Sequence, residues 1–222
     1  MGYNLIDFRK SIPRHKTRTW KKRYKADKIV VHTTASDNQD PSKTARYHVH
    51  AGETNHISTK GCPSIVYHDF IDKTGTVFHC NDYTDWTWHA SAYNRRSIGV
   101  TMAFKGQSGE APTPEQFMAL ERHLVILCLY LKIYPKDVIG HREVPGMWTW
   151  IGKGSKKYKK TCPGMKVDLD KLRERLTKNL QRRLFAEGLY LGRIDGDFGP
   201  KSSKALKDFV PKQNRVIQWE SY

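Results

Sequence analysis

The chain has 222 residues, 38% hydrophobic and 27% charged, which fits one globular domain of ordinary size with room for a small appendage. Its 39 Lys and Arg against 22 Asp and Glu give a formal net charge of +17, so a polyanionic partner is expected: nucleic acid, anionic lipid or an acidic cell-wall polymer. No run of 18 apolar residues suits a membrane-spanning helix, and the amino terminus lacks the apolar stretch of a secretory signal, so the protein is expected to be made in a cytoplasm and to leave it only by some other route of release.

Residues 1–25 hold nine Lys or Arg and one Asp, and residues 1–26 read as a basic, partly ordered leader. Lys28–His32 (KIVVH) is a β-branched run that delivers His32 to a strand end. Asp40-Pro41 then opens a helix through His50, with Asp40 as N-cap. Ser64–Ile71 and Thr76–His79 read as two strands around a turn at Asp72–Gly75, and Ser97–Phe104 as another strand. Thr113-Pro114-Glu115-Gln116 starts a helix that runs to about Lys132 and buries Phe117, Leu120, Leu124, Leu127 and Leu131. Cys128 falls on that apolar run and reads as core. The Gly-, Lys- and Trp-rich stretch 140–164 reads as a long irregular loop, a place where function concentrates. Residues 168–187 are helical, and the tail continues as a Gly-Asp turn and a further helix. Strands alternating with helices predict an α/β domain, a mixed central sheet flanked by helices, with a small all-α segment after it.

Catalytic zinc takes three protein ligands and leaves a fourth position for water. His32, His141 after Ile139-Gly140, and Cys162 before Pro163-Gly164 are candidate ligands, each at a strand or loop end. Their spacing alone is weak evidence, because ten histidines offer many other trios. Four cysteines without a secretion signal do not suggest a disulfide framework, and Cys62 and Cys80 are expected to be reduced.

The local sequences carry more. VVHTTAS around His32, YHDFIDKTGTV from Tyr67, GHREV around His141 and KTCPG around Cys162 occur in that order over about residues 27–170. Together they resemble the zinc amidases of the phage-lysozyme and peptidoglycan-recognition-protein superfamily. The resemblance implies one catalytic Zn2+ held by His32, His141 and Cys162, with Tyr67 and Lys160 lining the active site. It implies cleavage of the amide between N-acetylmuramic acid and L-alanine of peptidoglycan, as in an endolysin. Non-catalytic relatives typically lack the cysteine, which this chain has. WHASAYNRRSIGV (88–100) resembles the family's segment around a cleft histidine, here His89. Trp148 and Trp150 are candidates for stacking on sugar faces. Glu143 is read either as a carboxylate that orients a ligand or as a surface ion pair.

The tail LQRRLFAEGLYLGRIDGDFGPKSSKALKDF resembles a peptidoglycan-binding module whose third helix is missing or altered. The expected division is therefore a leader over 1–26, a catalytic domain over 27–170 and a wall-binding-like helical segment over 171–222. Two alternatives stand beside the enzyme: a peptidoglycan-binding protein without catalysis, and a basic nucleic-acid-binding protein, for which no specific motif is present. The expected partners are peptidoglycan and, through the basic arm, anionic wall polymers or a membrane surface; a monomer is expected.

Overall fold

Strand formation is strongest where β-branched residues cluster, and the sheet is built around that place. A computed structural model describes residues 3–146, 148–150, 157–159 and 161–211. Its strands are β1 (Leu5–Asp7), β2 (Lys21–Lys22), β3 (Lys28–Thr33), β4 (Asp69–Ile71), β5 (Val77–His79), β6 (Asp85–Trp86), β7 (Ser97–Met102), β8 (Val138–Gly140), β9 (Trp148–Trp150) and β10 (Lys157–Lys159). Its helices are α1 (Pro41–Val49), α2 (Pro114–Leu131), α3 (Leu169–Ala186) and α4 (Pro200–Asp208).

Six strands form one mixed sheet in the order β1-β5-β4-β7-β3-β8. Only β4 and β5 pair antiparallel, around the turn expected at Asp72–Gly75. β3 lies between β7 and β8, so its run Ile29-Val30-Val31 is buried on both faces. Ile29 and Val31 join the core under α2 and α3, whereas Val30 packs with Ala90 and Val144 on the other side. Side chains alternate along a strand, so His32 shares the face of Val30, away from the α2–α3 layer. α1 covers part of that second face, with Ala45 packed among Ile65, Phe70 and Ala103.

The helix starts follow local chemistry. Asp40 accepts from the amide of Ser42, and Thr113 with Gln116 forms a capping box, each ahead of a proline at the first turn. Leu120, Leu124 and Leu127 of α2 are buried as expected, and Phe117 and Leu131 are half-buried against the same core.

Three expectations need correction. The first is the leader. β1 pairs parallel with β5 at the sheet edge, and β2 pairs with β6. Ile12, Trp20 and Arg23 are buried, and the Trp20 indole donates to Asn81 Oδ1 at 2.9 Å. Described residues before 27 are thus part of the fold, because their sparse apolar groups fill gaps left by distant segments. The second is the boundary at residue 170, which falls inside α3. Leu172, Leu176, Leu180 and Leu184 form one buried stripe that continues the sheet's core into Tyr190, Ala205 and Leu206. The third is the stretch 140–164, which contains a hairpin pairing Trp148 with Lys159 and Trp150 with Lys157.

If the amino-terminal segment is structural, Trp20→Ala lowers unfolding free energy by about 3–5 kcal/mol, as for other buried Trp truncations. Chemical denaturation measures this, and a midpoint equal to wild type would restore the reading of a partly ordered leader.

Candidate metal centre

Parallel neighbours β3 and β8 end on the same side of the sheet, and ligand sites in open α/β sheets lie outside such carboxyl ends. His32 occupies the next-to-last position of β3, and His141 follows β8 directly. Their ring centroids are 4.5 Å apart. Cys162 reaches the same point from the chain: its Sγ lies 3.9 Å from His32 Nδ1 and accepts from the Thr33 amide at 3.4 Å. One donor atom from each of His32, His141 and Cys162 lies within 4.8 Å of the others, and all three residues are buried.

The segment carrying Cys162 is held on both sides. The Arg142 amide donates to Cys162 O at 2.8 Å, and the Arg142 guanidinium donates to Gly164 O and Val167 O. Gly164 has φ +111°, and a Cβ there would sit 2.8 Å from Gly106 Cα, so the turn after Cys162 requires glycine. Glu143 accepts from the Gly140 amide at 2.9 Å and pairs with Arg173 of α3. Of its two sequence readings, the ion pair is the one observed.

His89 was expected to border the cleft for substrate. Instead it is buried behind His32, with its Nδ1 3.0 Å from His32 Nε2 and its Nε2 3.3 Å from Ser97 O. Burial pulls its pKa down to about 3, so the ring is neutral and carries one N–H. A carbonyl only accepts, so that hydrogen sits on Nε2 and His89 Nδ1 is a bare acceptor. His32 must then donate from Nε2, which leaves its Nδ1 lone pair facing Cys162 and His141. The tautomer a metal needs is thus set by the protein. Gly99 makes room for this arrangement, since a Cβ on it would lie 2.8 Å from the His89 ring.

Donor chemistry and spacing suit zinc. Zinc–nitrogen bonds of about 2.0 Å and zinc–sulfur bonds of about 2.3 Å at a tetrahedral angle put donors roughly 3.5 Å apart, against 3.9 Å between His32 Nδ1 and Cys162 Sγ and at most 4.8 Å across the trio.

Tyr67 stands beside the trio, its ring 5.1 Å from that of His32. Burial, reinforced by the neighbouring Cys162, raises its pKa, so the phenol keeps its hydrogen. His48 of α1 lies under Tyr67 at 5.8 Å between rings and accepts from the Val66 amide at 3.3 Å. Its signal in the sequence was only its place seven residues into α1. Lys160 and the side chains of Trp148 and Trp150 lie outside the described residues.

Residues 22–165 match the N-acetylmuramoyl-L-alanine amidase family. The chain belongs to that family. No curated protein sequence matches the chain. Among solved structures, the N-acetylmuramoyl-L-alanine amidase LysC from Clostridium intestinale is similar at 20% identity and TM-score 0.61, over 78% of this chain and 97% of that one. The endolysin of a Thermus scotoductus bacteriophage is similar at 20% identity and TM-score 0.56, over 78% and 98%. Drosophila peptidoglycan recognition protein LB is similar at 16% identity and TM-score 0.56, over 74% and 89%. These likenesses show a shared fold, the mixed sheet with flanking helices expected of the family.

The backing role of His89 predicts that His89→Phe, or Gly99→Ala through displacement of the ring, weakens zinc binding by about 10–100-fold, the usual cost of losing a partner behind a metal ligand. Competition with a chromophoric chelator measures it; affinity equal to wild type in both variants would remove His89 from the support of His32.

Proposed function

We propose that this protein is a zinc-dependent amidase that hydrolyses the bond between the lactyl group of N-acetylmuramic acid and L-alanine in peptidoglycan. The observation that carries the reading is the meeting of His32, His141 and Cys162 donor atoms within 4.8 Å at the carboxyl ends of β3 and β8. Three donors, with no fourth side chain in the group among the described residues, suit a catalytic zinc better than a closed structural one. Zinc in this setting supplies a Lewis acid that brings water toward deprotonation at neutral pH and polarises a carbonyl.

The chain's own residues do the rest. His32 and His141 enter as neutral imidazoles and Cys162 as a thiolate, so one positive charge remains to be used on substrate. Water adds to the amide carbonyl carbon, the C–N bond breaks, and a proton passes to the departing nitrogen. The products are a lactyl carboxylate and a free alanine amino terminus. Tyr67, kept protonated by its buried setting, donates a hydrogen bond to the carbonyl oxygen as negative charge develops there. Lys160, two residues before Cys162, is proposed to share that task. His48 positions Tyr67 from below.

His32→Ala and Cys162→Ala are expected to lose metal and activity together, measured by metal analysis and by release of amino termini from purified walls. Full zinc content in both would refute the ligand assignment. Tyr67→Phe and Lys160→Ala are expected to retain zinc and to slow turnover by about 10²-fold, as for loss of one oxyanion donor. Normal kinetics in either would take that residue out of the reaction. Mass spectrometry of digested walls tests the bond itself: fragments in which every muramoyl–alanine link is intact would end the amidase reading.

A further inference from the structure

Beside Tyr67 the surface turns from a catalytic wall into a row of indoles and cations. Tyr67 packs in one cluster with Trp20, Val66, Ile57 and Trp88. Trp88 is half-buried, meets Trp20 edge-to-face at 5.3 Å, and carries the Arg18 guanidinium 5.1 Å above its ring. Two residues earlier, past the inward-turned Thr87, Trp86 is again half-buried. Its ring is flanked by Lys21 Nζ at 5.8 Å and Arg95 Cζ at 6.0 Å.

The charges around Trp86 are arranged in an unequal way. Lys22 pairs with Asp82 and Asp85, and Arg96 pairs with Asp27. Their neighbours Lys21 and Arg95 are exposed, sit on the indole, and have no ion-pair partner among the described residues. Each of two adjacent cation pairs therefore has one member neutralised and one left for an outside anion. An indole between two such cations suits a ligand with both C–H faces and carboxylates. A glycan strand bearing acidic stem peptides has both.

We infer that Trp86, Lys21 and Arg95 form a subsite for the peptidoglycan polymer beyond the scissile bond, with the indole against a sugar ring and the two cations on stem-peptide carboxylates. Trp88 and Arg18 connect this shelf to Tyr67 and so to the metal centre. The inference rests on the amidase reading for the identity of the polymer. Lys21 lies just ahead of the span matched by the amidase family, so the amino-terminal segment supplies part of the subsite.

The test is co-sedimentation with purified peptidoglycan sacculi stripped of teichoic acid. Trp86→Ala and the double variant Lys21→Ala/Arg95→Ala are each expected to bind about tenfold more weakly than wild type, typical of losing an aromatic or cationic anchor. Amidating the stem carboxylates is expected to weaken wild type and to leave the double variant where it was. The double variant changes only exposed side chains, so it decides the matter if Trp86→Ala fails to fold. Wild-type affinity in the double variant overturns the subsite, as does a loss seen only on walls that still carry teichoic acid, which would assign the cations to phosphate. Release of alanine amino termini by wild type from the same sacculi is scored separately. Its absence brings down the amidase reading, while the subsite is judged on the variants' binding alone.

Discussion

The constraint on which the site depends is that His32 must present a bare Nδ1 toward Cys162 and His141. A free imidazole exchanges its hydrogen between two nitrogens, and only a fixed partner chooses for it. Here the partner is a buried chain of acceptors and donors running from Ser97 O through His89 to His32 Nε2. Ser97 opens β7, where it pairs with Lys28 of β3, so the register that aligns the two strands also aligns the chain of hydrogen bonds. A slip by one residue would turn His32 toward the α2–α3 core and carry Ser97 out of reach. Fold and chemistry are specified by the same pairing.

The amino-terminal segment enters that chain directly. The Arg23 guanidinium is buried and donates to Tyr83 O, Asn94 O and Ser97 O, the last being the carbonyl that also receives His89. A carbonyl oxygen has two lone pairs, so both donors are accommodated. Farther along the segment, Tyr3 bonds His123 Nδ1 at 2.6 Å, and His123 and His79 both face Asp69. Burial alone would raise the Asp69 pKa, but the two histidines pull it well below the usual carboxylate range. A buried anion is expensive unless paired, and here the pairing ties α2 and β5 to β4.

What the sequence made legible was local or periodic. The KIVVH run, the proline-led caps of α1 and α2, and the turn at Asp72–Gly75 are decided within a few residues, and all appear as read. The candidate trio His32, His141 and Cys162, which the structure brings together, was read from ordered motifs and not from spacing. What stayed hidden was non-local. β1 has three residues and pairs with a strand some seventy positions away in the chain, a match that no short window contains. Nine cations in twenty-five residues read as a basic, partly ordered leader, yet Arg23 is buried because three remote carbonyls converge on it. His89 read as a cleft residue because its motif was visible while the missing Cβ of Gly99, which lets it sit behind His32, was not.

The tail shows the same limit from the other side. Its resemblance to a wall-binding module with an altered third helix suggested a segment of its own over 171–222, and Gln181 does organise a compact turn there, donating to Tyr190 and Asp195 and accepting from the Gly196 amide. But the leucines at 172, 176, 180 and 184 are one uninterrupted stripe, shared between that turn and the sheet. Tyr134 reaches across to Ser203 Oγ at 2.9 Å, and Lys132 donates to Leu206 O at 3.0 Å. Leu180 and Leu184 are fully buried in that shared core, and exposing either to water by separating the two parts would cost about 1.5–3 kcal/mol. The helical tail is therefore bound to the catalytic core by the same hydrophobic surface that holds itself together, and any contact it makes with a wall is made at a fixed place relative to the metal centre, not from the end of a tether.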